Sequence, residues 1–199
     1  MEKVLTFKVE ISNLEDKIYR VIKITDRMTV ADLAYTILAT FNSLAYHIWS
    51  IKYNNSIFDC FESDLKFVDD YSRSMASKIR LNKLNLSMND TLEMDYDFGT
   101  TTTFIITYLN SEDVNVFKEY LYPCIVEGKG NGMIDDISGD ELIDIVEEAD
   151  RLGYSTFYLT PGYGRNKKYD YKKFDLKKNN TKLKGLILQI KNSYEVIDE

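Results

Sequence analysis

Proline is almost absent from this chain, with two in 199 residues, and the nine glycines are spread thinly. No stretch therefore reads as a Pro/Gly/Ser-rich linker, no internal repeat is visible, and a single domain over residues 1–199 is expected. Long apolar runs are missing too. None approaches the roughly 20 residues that a spanning helix needs, and charges interrupt the first eight positions, so neither a membrane anchor nor a signal peptide is expected. Cys60 and Cys124 are the only cysteines and lack a Cys or His at ligand spacing, which points to free buried thiols in a reducing, cytoplasmic setting rather than a disulfide or zinc site.

Positive charge is in deficit, the net being -7. This argues against nucleic acid as the main partner, because phosphate binding rests on clustered Lys and Arg. The deficit is uneven. Residues 92–150 carry a net of -13 and residues 165–184 a net of +7. Two solvated faces explain this most simply, and a basic arm docking on an acidic partner or polyanion is the sharper alternative.

What is present is regular. Leu5, Phe7, Val9 and Ile11 alternate with polar residues, and after the turn at Asn13–Lys17 a strand pattern resumes over residues 18–24, so the chain opens with a hairpin. Thr29 and Asp32 form a capping-box start for a helix whose stripe is Val30, Leu33, Ala34, Ile37, Leu38 and Phe41. Residues 47–53 read as a third strand and residues 54–78 as a loop-rich excursion. Residues 92–109 read as a second hairpin turning at the threonines after Gly99. Ser138 caps a helix that Gly153 ends, and a last helix is expected over about 175–191, burying Leu183, Leu186, Ile187 and Ile190. The predicted class is α/β (α+β), an elaborated β-grasp-like mixed sheet with a packed amphipathic helix and further C-terminal helices.

The candidate chemistry is sparse. His47, the sole histidine, lies beside Ile48 and Trp49 on the predicted third strand and reads as structural. Asp97 reads as accepting backbone N–H groups at a turn, with Gly99 supplying positive φ. The run Gly128-Lys129-Gly130-Asn131-Gly132 lacks P-loop spacing and reads as a flexible turn. Asp135, Asp136, Asp140 and Glu141 can chelate a cation, but they do not follow the calcium-loop order, and Asp140 and Glu141 suit a helix N-terminus without one. Tyr163, Tyr169 and Tyr171 interleave with Lys167, Lys168, Lys172 and Lys173, as in single-strand nucleic-acid grooves; ordinary solvated surface is the plainer reading, and polyanion contact through those four lysines the alternative. No catalytic residue, metal ligand set or cofactor is assigned.

Taken in order, Ile18-Tyr19-Arg20, Thr29-Val30-Ala31-Asp32-Leu33, His47-Ile48, Tyr96-Asp97-Phe98-Gly99, Tyr122-Pro123, Gly128-Lys129-Gly130, Asp135-Asp136-Ile137-Ser138-Gly139 and Phe174-Asp175-Leu176 resemble the motifs of the plasmid pRiA4b ORF-3-like family. The IS1096 transposon passenger proteins are also placed there. The resemblance implies the β-grasp-like fold and marks Arg20, His47, Tyr96, Asp97, Phe98, Gly99, Pro123, Gly128, Gly130, Asp135, Asp136 and Gly139 as family-motif positions. It implies no settled activity. The chain departs from the family where that family has Asp, Trp, His and Cys, having Thr100, Thr102, Phe104 and Ile125 instead. The sequence thus suggests a non-catalytic interaction or adaptor module with a protein partner. The alternatives are a mobile-element accessory protein touching nucleic acid through the basic segment, and a divergent enzyme centred on Asp97, His47 and the acidic loop.

Overall fold

The computed structural model describes residues 2–61, 71–115, 121–159 and 167–195. Its strands are β1 (Lys3–Ile11), β2 (Tyr19–Thr25), β3 (Trp49–Tyr53), β4 (Ser56–Asp59), β5 (Ser72–Met75), β6 (Thr91–Tyr96), β7 (Thr102–Asp113) and β8 (Cys124–Lys129). Its helices are α1 (Val30–Thr40), α2 (Gly139–Leu152) and α3 (Leu176–Tyr194). One mixed sheet runs β5-β4-β3-β6-β7-β1-β2-β8. Among the described strands only the β4–β5 pair is parallel. The fold is α+β, as the hydrophobic periodicity predicts.

Local chemistry explains most of these elements. The Thr29 hydroxyl accepts from the Asp32 N–H at 3.1 Å and the Asp32 carboxylate accepts from the Thr29 N–H at 2.9 Å, so the capping box at α1 closes in both directions. All of α1 except Asp32 is buried. Tyr35 meets Trp49 of β3 and Phe41 meets Phe104 of β7, while Tyr35 also stacks on Tyr194, so α1 lies between the sheet and α3. The Ser138 hydroxyl accepts from the Glu141 N–H, and Gly153 ends α2 at φ 80°. Leu183 and Ile190 of α3 are buried, with Leu186 and Ile187 half-buried against the core.

Several expectations are corrected. The 54–78 segment contains β4, which forms a tight hairpin with β3 across Asn54 at φ 52°, and β5; residues 62–70 lie outside the described residues. The run 128–132, expected as a flexible turn, starts inside β8, which pairs with β2 from Tyr19↔Lys129 to Lys23↔Cys124. Gly128 belongs to that strand because a Cβ there would meet the Phe174 ring at 2.8 Å and Arg20 Cδ at 3.0 Å. Pro123 precedes β8 with a cis bond to Tyr122. Cys60 is buried and Cys124 only half-buried, both as free thiols. No helix of the described residues is long and apolar enough to cross a membrane.

α3 covers the outer edge of β8. The Asn180 amide donates to Ile125 O at 2.8 Å and its carbonyl accepts from Ile125 N–H at 2.9 Å. At the end of α2, Asp150 is held by the Tyr171 hydroxyl, by Lys17 at 3.0 Å and by Lys172 at 3.1 Å. These partners keep its carboxyl well below the ordinary range. A carboxyl with a depressed folded-state pKa stabilises fully above the unfolded value of about 3.9, and that contribution is lost as pH falls through the folded value. Asp150→Asn is therefore expected to lower the urea midpoint at pH 7 and to converge on the parent protein as pH drops below about 3.9. A difference that persists unchanged in acid would contradict the assignment.

Candidate functional site

The β6–β7 turn is built around Asp97. It follows Tyr96, the last residue of β6, and takes φ 60°, while its N–H donates to Ile48 O at 2.9 Å. Its carboxylate accepts from the Gly99 N–H at 3.1 Å and from the Thr100 hydroxyl at 2.5 Å. The positive φ expected of Gly99 thus belongs to Asp97, which tolerates it because its side chain closes the turn. Burial pushes the Asp97 carboxyl up, but the hydrogen bonds from Thr100 and Gly99 and the neighbouring His47 outweigh it and hold the group below its ordinary range. Phe98, at the turn's tip, is exposed.

Asp135 organises the facing side. Only 1% exposed, it accepts from the Tyr96 hydroxyl at 2.7 Å, the Ser43 hydroxyl at 2.8 Å and the Leu44 N–H at 2.8 Å. A buried carboxylate satisfied in this way locks the α1–β3 connection onto the loop before α2. His47 lies on that connection, not on β3 as predicted, because strand pairing begins only at Trp49. Asp136 follows Asp135 at φ 65° and presents its carboxylate outward, where it accepts from the Tyr46 hydroxyl.

The outcome is a convergence. His47 Nε2 lies 3.0 Å from Asp136 Oδ1 and 3.5 Å from Asp97 Oδ2. The three donor atoms, drawn from three separate loops, all fall within 4.8 Å of one another. The imidazole is flanked by the Tyr46 and Tyr96 rings. One imidazole and two carboxylates form a donor set suited to first-row divalent ions such as Zn²⁺ and Mn²⁺. Sequence reasoning named all three residues but assigned no ligand set, since their separations of 89 and 50 positions carry no local signal. It missed Tyr46 and Ser43 altogether.

The remaining motif residues are supports. Arg20, wholly buried, donates to five backbone carbonyls, among them those of Lys129, Gly130 and Asn131. Gly130 has φ 75° and lies so close to Lys17 O that a Cβ would approach it to 2.5 Å. The N–H of Gly139, the first residue of α2, donates to Thr101 O at 3.0 Å, tying that helix to the β6–β7 turn.

Tyr169 and Tyr171 do not form the stacking groove of the nucleic-acid alternative: both are buried, and Tyr163 lies outside the described residues. Lys172 is turned toward Asp150. Lys167, Lys168 and Lys173 instead join Lys178 and Lys182 of α3 around a cleft of about 380 Å³.

A mixed α+β sheet with a His/Asp/Asp cluster at the junction of three loops defines the class to which the comparisons add a family. The model of the plasmid pRiA4b ORF-3-like proteins matches residues 3–178, and the chain belongs to that family. A crystal structure of a protein of unknown function, MM3350 from Methanosarcina mazei Go1, matches with a TM-score of 0.66 at 19% identity, over 89% of this chain and 96% of that one. This likeness bears on the fold alone. No curated protein matches the chain.

Proposed function

We propose that this protein binds a divalent metal ion through His47 Nε2 and the carboxylates of Asp97 and Asp136. The observation that carries the reading is the convergence of these donors, with two of their separations at 3.0 and 3.5 Å. Such lengths are those of edges in a coordination shell whose bonds are about 2.0–2.2 Å. The carboxylate of Asp136 is half-exposed, so positions on the ion opposite the protein donors face solvent. Three protein ligands with open positions are the pattern of sites that polarise a bound water or substrate oxygen. The adaptor reading draws on the sheet's binding edges and faces and on a want of convergent titratable groups; the meeting of these three groups favours the metal reading over it.

Titration of chelator-treated protein with Zn²⁺ or Mn²⁺ alone, followed by calorimetry, tests this. One ion per chain is expected, and Asp136→Asn or His47→Gln should each weaken binding by about tenfold or more. Asp136 is exposed, so its variant keeps the fold and makes the comparison fair. Saturable binding that both variants leave unchanged, or no saturable binding of either ion, would overturn the assignment.

A further inference from the structure

The cleft beside the start of α3 is a second feature, separate from the His47 cluster. Lys167, Lys168, Lys173, Lys178 and Lys182 line it, together with the amides of Asn42, Asn131 and Asn179. None of the five lysines forms an ion pair with a described carboxylate. The two acids on the rim are already engaged, Asp170 accepting from the Lys172 N–H and Asp175 from the Lys178 N–H at the N-cap of α3. Lys182 is held by the neutral Asn42 carbonyl at 2.8 Å. Burial, then the like charges of Lys178, Lys167 and Arg20, lower its pKa. An acidic protein thus gathers five lysines against two carboxylates in one concavity, a local net positive charge.

We propose that this cleft is a binding site for a compact ligand carrying clustered phosphate groups. Several ammonium groups around one cleft complement several phosphate oxygens at once. A volume of about 380 Å³ is at the lower end of small-ligand sites. A polynucleotide fits less well, because Tyr169 and Tyr171 are in the core and the acidic remainder of the surface repels an extended polyanion. The phosphates can come from a soluble compound or from a lipid headgroup, since the recognition chemistry is shared.

The test titrates the full chain with inorganic tripolyphosphate, with inositol trisphosphate, with vesicles containing phosphatidylinositol bisphosphate and with a short single-stranded oligonucleotide. Tripolyphosphate is expected to saturate one site, and the pair Lys178→Gln and Lys182→Gln to weaken it by about tenfold or more. Lys83→Gln, outside the cleft, should change nothing. Vesicle binding that matches or exceeds that of inositol trisphosphate identifies a lipid source, and weaker vesicle binding a soluble one. No saturable binding of tripolyphosphate, equal binding by the double variant, or oligonucleotide affinity that exceeds the others and grows with length would each overturn the proposal.

Discussion

Replacing Arg20 with alanine is expected to lower stability by about 3–5 kcal/mol, read as a fall in the urea midpoint and a melting temperature lower by about 10 °C. The guanidinium is fully buried, and burial lowers its pKa to about 10, so at neutral pH the charge persists. No described carboxylate neutralises it. Its Nε donates to Thr40 O at 3.0 Å, Nη1 to Tyr19 O and Lys129 O at 2.7 Å, and Nη2 to Gly130 O at 2.8 Å and Asn131 O at 3.1 Å. The Phe41 and Phe174 rings lie 4.9 and 4.3 Å from its central carbon. All five donors of the fork are used, so alanine removes the partner of carbonyls at the end of α1, on β2 and on the chain leaving β8, and opens a cavity besides. Arg20→Lys should recover less than half of the loss, because an ammonium offers three donors from one point and no planar face for the two rings. A loss below about 1 kcal/mol for the alanine variant would show that water replaces the side chain at little cost.

Gly132→Ala is expected to cost about 3–5 kcal/mol for a single added carbon. The residue has φ 129°, and a Cβ on it would lie 2.1 Å from Phe41 O and 2.6 Å from Phe41 C, both backbone atoms at the C-terminus of α1. The loop cannot simply swing away. The Met133 N–H donates to the same Phe41 carbonyl at 3.0 Å, and the buried Tyr169 hydroxyl donates to Gly132 O at 2.5 Å. Relief therefore requires lifting the loop from α1, which moves Asn131 of the basic cleft on one side and Asp135 and Asp136 on the other. Zn²⁺ and tripolyphosphate titrations should accordingly both weaken in this variant, alongside the lower melting temperature. A variant with parent stability would mean that the loop relaxes freely, and the predicted rigidity would fail.

What the sequence revealed and what it hid follow from the range of the interactions. The Thr29/Asp32 box, the Ser138 cap, the Gly153 stop and both hairpins are set by residues a few positions apart, and each was legible. The end of β8 was not, because Gly128 mimics a loop when nothing shows that Arg20 and Phe174 occupy the space its side chain would fill. The alternation of Tyr169 and Tyr171 with charged residues suggested a wet surface, yet one hydroxyl reaches Gly132 O and the other Asp150, each anchored in a distant segment. His47, Asp97 and Asp136 were visible as motif residues, and Asp97, His47 and the acidic loop as the centre of one alternative, without a ligand geometry. Their meeting depends on Asp135 pinning one loop to another, which no period or spacing encodes.

Asn180 bears on what this protein avoids. The outer rim of β8 is a row of peptide groups, and such a row is where one chain's sheet recruits another's and begins to grow without limit. By offering one donor and one acceptor to Ile125 from a helix, the Asn180 carboxamide imitates a single peptide unit of a neighbouring strand and then goes no further. The sheet meets a counterfeit rung that nothing can be stacked upon, and polymerisation from this side must first prise α3 away.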